Sequence, residues 1–442
     1  MQNLPANVKT YLIRHSDDKY KVEWNDRNGI NNVIVIPAIA EYENIKIVFS
    51  SLLENDPAYF SSSLLLFVIN NSSSSDNSVK KDNTKSLEYL RSLINPESKN
   101  EISEDRLQIG LIDASSEGKE LNDKNCGVGL ARKVGMDLAL TLFDYTKEDK
   151  KLIICLDADC TVQQNYLTAI VEHFRNNNSS VGILNFEHLY EGNSGNDAAI
   201  VCYEIFLRYY TAGLEYANSP YAFQTIGSTM VCNHSAYIKI GGMNKNKAAE
   251  DFYFLEKLSK NFNIDEISST TVYPSNRSSW RVPFGTGKSV SEFLANPNDE
   301  HYLYDPEIFD ILKSWLDIYN SEEILATQKL LESSKKIHVQ LFNFLEQQNF
   351  KKQWEKIIEN TKSEKQLQYQ QKIWFDGFKT LKLIHHLRDT AYHQINMFDA
   401  LDRFFIKTDV GEQIERKGKK IPELSIQKEY LQVLKDLVKQ KV

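Results

Sequence analysis

Five residues of apolar character, Leu152-Ile153-Ile154-Cys155-Leu156, run straight into Asp157-Ala158-Asp159. The chain has 60 acidic residues in 442. At that density about eight acid-x-acid pairs arise by chance, so the pair draws meaning only from its context. Two carboxylates at the end of a buried strand repel each other unless a cation or hydrogen-bond donors offset them. A divalent cation does this well, because Mg²⁺ and Mn²⁺ take carboxylate oxygens together with substrate phosphates. The competing reading is an acidic turn, or a cap for a helix containing Tyr166 and Leu167. The expectation is that Asp157, Ala158 and Asp159 meet the diphosphate of a nucleotide, with Asp159 and Asp157 holding the metal.

Three further segments have residue types suited to the same chemistry. In Asn125–Asp137 two glycines open a helix, and Arg132 and Lys133 follow within its first turns. Free backbone N–H groups and cations at a helix start suit an anion, so Arg132 is a candidate for phosphate or base binding. A solvated basic pair is the plainer alternative. The spacing is neither GxGxxG nor a P-loop, since no GK[ST] closes it. Next, Glu250-Asp251 begins a helix patterned by Phe252, Leu255 and Leu258. Asp251 either complements the helix dipole or acts as a general base for a hydroxyl nucleophile. Last, Val272–Gly287 puts Arg277, Trp280 and Arg281 beside a Gly-Thr-Gly turn. Trp offers a stacking face for a sugar and Arg clamps phosphate, against a plain structural loop.

The elements that must position these residues alternate. Val33–Ile36, Leu64–Ile69, Leu107–Ile112, Leu152–Leu156 and Val181–Phe186 read as strands. Tyr42–Leu53, Lys85–Leu93 and Leu130–Phe143 read as helices. Continuous apolar runs suit strands buried on both faces, and the alternation predicts a mixed, mostly parallel α/β sheet. Polar residues cluster after the strands, where open sheets bind ligands. Asn71–Asn83, rich in Ser, Asn, Asp and Lys, reads as a mobile surface loop. Beyond Pro306 glycine becomes scarce and Lys, Glu, Gln and Leu dominate. The division expected is an α/β domain over 1–305, with its core at about 30–290, and a helical C-terminal region over 306–442. His385 and His386 are adjacent on a helix, point to different faces, and read as ordinary helix residues.

Composition narrows the class. A net charge of -8 disfavours nucleic acid as the main partner. The 5 cysteines have no zinc spacing and read as reduced thiols of a cytoplasmic protein. No secretory signal and no membrane-spanning run is read in the sequence, while contact with a membrane surface stays open.

Taken in order, these segments resemble the inverting family 2 glycosyltransferases of GT-A fold, a Rossmann-like arrangement that binds nucleotide-diphospho-sugars. Val35–Asn44, which includes Pro37, Ala38 and Glu41, resembles the first strand and its nucleotide-contacting loop. Val68–Ser73 resembles the second strand end, with Asn70 where an Asp is common. Asn125–Gly135 resembles the glycine–Ala-Arg-Asn–Gly helix start, with Lys133 where Asn is common. Asp157-Ala158-Asp159 matches the DxD motif. Gly227–Met230 through Gly241–Met243 resembles the acceptor-side segment, and Glu250-Asp251 the acidic pair whose Asp is the base. The match spans about 60% of the chain, and its specificity lies in the ordered set.

The resemblance implies transfer of a sugar from a nucleotide-diphosphate donor, UDP by default, to a carbohydrate or other hydroxyl acceptor. It implies inversion, with Mn²⁺ or Mg²⁺ as cofactor and Asp251 as base. Trp280-Arg281 reverses the order used by processive synthases, and with no spans expected, a processive polymer synthase is not predicted. The rivals are a nucleotidyltransferase acting on sugar phosphates and a non-catalytic sugar-nucleotide-binding protein on the same fold. The first should have a Gly-rich loop after its first strand, and Pro37–Glu41 has no glycine.

Overall fold

The computed structural model describes residues 4–25, 28–95, 107–190, 192, 194–276, 302–321, 326–410 and 414–439. The chain divides into two compact units, residues 1–189 with 225–288 and residues 190–224 with 289–442.

Among the described residues the first unit is built on a nine-stranded sheet, with α1 (Ala6–His15) and α7 (His234–Lys239) among its helices. Its strands are β1 (Val22–Trp24), β2 (Asn32–Ala38), β3 (Ser63–Asn70), β4 (Gln108–Ala114), β5 (Leu152–Cys155), β6 (Thr161–Val162), β7 (Val181–Phe186), β8 (Met230–Asn233) and β9 (Asp265–Tyr273). They lie in the order β1-β4-β3-β2-β5-β8-β7-β9-β6. β2 pairs in parallel with β3 and β5, and β3 with β4. β8 enters antiparallel between β5 and β7. The result is the mixed, mostly parallel sheet expected of the alternating pattern.

Why the central strands read as unbroken apolar runs is plain from their packing. Every residue of β2, β3, β4 and β5 is buried. Ile34, Ile36, Leu65 and Phe67 pack in one cluster with Ile45 and Val48 of α2 (Tyr42–Leu53), Leu87 and Leu90 of α3 (Asn77–Ile94) and Leu167 and Ile170 of α5 (Tyr166–Asn176). The alternate residues Val35 and Val68 face α4 (Val128–Ala139) so closely that a Cβ on Gly135 would sit 2.4 Å from Val35 Cγ1. Period-two alternation thus exists, but both faces demand hydrophobes and the sequence hides it.

The mobile surface loop expected over Asn71–Asn83 is not what forms. The segment turns at Ser72–Ser75 and then enters α3 at Asn77. Asn83 on that helix is buried, donates to the Asn70 carbonyl at 3.0 Å and to Asn71 Oδ1 at 2.7 Å, and accepts from the Ala40 N–H at 2.9 Å. Asparagine is poor in helix interiors because it seeks backbone partners. Here those partners are strand ends, which is why composition mistook the helix start for a loop.

The second unit is helical. Residues Ser194–Tyr216 form α6, and among the described residues eight more helices lie between Glu307 and Lys439. The core joins them: Tyr209 of α6 meets Phe309 and Phe404 edge to face, with ring centroids 5.6 and 5.3 Å apart. A second aromatic group gathers Trp315, Tyr319, Phe350, Trp354 and Trp374. Among the described residues no helix is long and apolar enough to cross a membrane.

Candidate functional site

All described candidate residues belong to the first unit. After β5 the chain turns tightly, the Cys160 N–H donating to the Asp157 carbonyl at 3.1 Å. This turn presents Asp157 and Asp159, both half-buried, at the carboxyl end of the strand, with Ala158 buried between them. The pair does not cap the next helix. β6 intervenes, and α5 starts at Tyr166 with Asn165 at its cap.

Arg132 lies beneath that turn. Its side chain is 1% exposed. Nη2 donates to Asp157 Oδ1 at 2.5 Å, and Nη1 donates to Glu250 Oε1. Burial opposes the guanidinium charge, but Asp157 and then Glu250 raise its proton affinity well above the usual value. The guanidinium is boxed in, since a Cβ on Gly227 would stand 2.7 Å from Nη2. The residue expected to reach a nucleotide therefore reaches two carboxylates instead, and both of its terminal nitrogens are engaged.

The helix start before it also differs from the anion cradle its glycines suggested. A Cβ at Gly129 would be 2.2 Å from the Asn246 carbonyl oxygen, and one at Gly127 would be 3.0 Å from Lys247 Cα. The glycines let the segment before α8 (Glu250–Ser259) lie against the first turn of α4. Lys133 likewise turns inward: Nζ donates to Asp137 Oδ2 at 2.8 Å, and Asp137 Oδ1 accepts from Tyr11 and Tyr237 at 2.8 and 2.6 Å. Sequence reasoning did not find this buried network. Its signal was the i,i+4 Lys–Asp spacing on an otherwise buried helix face.

Glu250 and Asp251 open α8. Asn244 Nδ2 donates to the Glu250 carbonyl at 2.8 Å, Asn244 Oδ1 accepts from the Asn246 N–H at 3.0 Å, and Ala249 has φ 56°. A left-handed alanine costs about 1 kcal/mol or more, and such strain clusters at functional sites. It turns Glu250 inward to Arg132 and leaves Asp251 half-buried beside it. Asp251 Oδ1 accepts from the Phe252 N–H at 2.8 Å, so the helix-start role weighed for it is partly real. Its carboxyl is nevertheless pushed up to about 7, first by burial and then by Glu250, with Arg132 pulling the other way. A carboxyl poised there is matched to proton transfer near neutrality.

On the other side of β5 stand the residues expected to meet the nucleotide. Pro37 and Ala38 end β2, both buried. Glu41, also buried, accepts from Asn44 Nδ2 at 2.5 Å. Ala40, with φ 52°, makes the turn between them. Asn70 Nδ2 donates to the carbonyls of Ala38 at 3.0 Å and Val68 at 3.2 Å, which locks the β2 and β3 ends together and leaves only Oδ1 for a ligand. Arg277, Trp280 and Arg281 lie outside the described residues.

Among the described residues no group of three or more His, Cys, Asp or Glu forms a ready metal cage. The donor set of Asp157 and Asp159 still fits Mg²⁺ or Mn²⁺, which bind through one or two carboxylates and complete their shell with water and phosphate. The local charge fits as well, because one buried guanidinium faces Asp157, Glu250 and Asp251.

No family model matches the chain, and no curated protein does. Among solved structures it is similar to residues 1–349 of S. aureus TarS in complex with UDP-GlcNAc, at 13% identity over 73% of this chain and 88% of that one, with a TM-score of 0.39. The same S. aureus fragment without a named ligand is similar at 12% identity over 88% and 94%, with a TM-score of 0.36. A further structure of S. aureus TarS is similar at 13% identity over 73% of this chain and 53% of that one, with a TM-score of 0.37.

Proposed function

We propose that the chain is a glycosyltransferase that moves a sugar from a nucleotide-diphosphate donor, UDP-linked by default, to a hydroxyl acceptor with inversion. The observation that carries this reading is the convergence of two acidic segments on one buried cation. Asp157 of the strand-end pair and Glu250, next to Asp251, both bond Arg132. A carboxylate pair suited to a metal–diphosphate and a carboxyl suited to proton removal are thereby held at one site.

In the proposed mechanism Asp157 and Asp159 would hold the divalent cation. When bound, that cation supplies Lewis-acid neutralisation of charge on the leaving diphosphate. Asp251 takes the proton of the acceptor hydroxyl as the oxygen attacks the anomeric carbon, since an alcohol is a poor nucleophile until its proton leaves. The ends of β2 and β3, with Pro37, Ala38, Glu41 and Asn70, form the floor for the nucleoside. The acidic pair alone would suit a nucleotidyltransferase equally. The base-like carboxyl of Asp251, next to the Glu250 that Arg132 joins to Asp157, favours attack by a hydroxyl.

Donor binding tests the reading without knowledge of the acceptor. A ligand that binds only the folded chain stabilises it by mass action. UDP or a UDP-sugar with Mn²⁺ should raise the melting temperature, with a smaller rise after chelation. A panel of sugar nucleotides that leaves it unmoved would contradict the proposal.

A further inference from the structure

We propose that Arg132 is a positioning residue that makes donor capture at Asp157 depend on Glu250, a carboxylate buried on the acceptor side. The inference rests on the donor-site reading above. Asp157 and Glu250 come from separate elements, the turn after β5 and the first residue of α8. Among the described residues they share no hydrogen bond of their own, and each bonds a different nitrogen of one guanidinium. That guanidinium has nowhere else to turn. It sits on α4, which packs against β2 and β3, and its two terminal nitrogens fill the space a Cβ on Gly227 would need, at 2.7 and 2.9 Å from that position.

The sign of the dependence follows from charge. A buried cation needs counterions, and removing one throws the whole demand on the other. With the Glu250 carboxylate bonded to it, Arg132 is partly satisfied on the acceptor side, and Asp157 can share its charge with a cation and a diphosphate. With that carboxylate replaced by an amide, as in Glu250→Gln, Asp157 becomes the main counterion of Arg132 and is less able to serve the donor. Asp157, at 35% exposure, is the partner open to a ligand; Glu250, at 6%, is not. Glu250 thus acts on the donor only through Arg132. This differs from a nucleotide-contacting arginine, which would leave Glu250 with no bearing on donor affinity.

The test is calorimetric titration of UDP, GDP and dTDP, each with Mn²⁺, into the full chain, followed by variants with the tightest binder. Near-ultraviolet circular dichroism checks that each variant is folded. Glu250→Gln should weaken binding fivefold or more, the low end of ordinary coupling between sites. Glu250→Asp, which keeps the charge, should return affinity to within twofold of the original chain. Arg132→Lys should behave like Glu250→Gln, because one ammonium cannot reproduce the two-armed fork. Affinity in Glu250→Gln within twofold of the original, or an equal loss in Glu250→Asp, would overturn the linkage while leaving the donor site intact. A chain that binds none of the three diphosphates would overturn the donor site itself, and this inference with it.

Discussion

Asp251 concentrates the chemistry of the proposal in one proton. Its carboxyl is raised to about 7 from an ordinary 3.8 by burial and by Glu250. A base must be ionised to act, so kcat/KM of the free enzyme should rise with pH through about 7, and Asp251→Asn should remove that limb. The same variant should lower transfer by about 10²–10⁴-fold, the usual worth of a general base, with donor affinity retained. Full activity in Asp251→Asn would refute the assignment. Stability carries the same signature. The folded chain holds this proton over a range where the unfolded chain has released it, so folding loses stability as pH rises from about 4 to about 7. Asp251→Asn should therefore gain more in melting temperature at pH 8 than at pH 4. Arg132 shows the opposite dependence on a partner. Arg132→Met leaves Asp157 and Glu250 without their shared cation, and urea denaturation should show a loss of about 3–5 kcal/mol.

The elements around these residues explain what could be read and what could not. β2, β3 and β5 announced themselves because strands covered on both faces need hydrophobes at every position. β8 did not: its four residues, Met230–Asn233, are too few to show a period, and only pairing with β5 and β7 makes them a strand. The candidate site divides in the same way. Asp157, Asp159 and Asp251 were legible from position after a strand or at a helix start. The inward turn of Arg132 was not, because a helix start with glycines and a cation looks alike whether it faces phosphate or buried carboxylates. Gly129 decides between these physically. Alanine is the better helix former by about 1 kcal/mol, yet Gly129→Ala would drive a methyl group onto the Asn246 carbonyl. We expect a net loss of about 1–3 kcal/mol, as for overpacking, with transfer reduced because the segment that sets Asp251 must shift. A melting temperature raised by Gly129→Ala would contradict this packing.

At the scale of the molecule, the helical tail does not form its core alone. Tyr209 and Gly213 of α6 lie against Phe309, and Tyr209 also meets Phe404. Composition flagged the tail by its lack of glycine, but α6 is separated from it by strands and passed unread. A chain truncated after residue 305 would leave that face of α6 bare, and we expect it to aggregate where the full chain stays monodisperse by light scattering. The most direct measurement of the proposed transfer is the product released when the full chain is incubated with a panel of sugar nucleotides and Mn²⁺. We predict nucleoside diphosphate from at least one donor, less after chelation, and none from Asp251→Asn. Release of pyrophosphate, or of nothing from any donor, would contradict it.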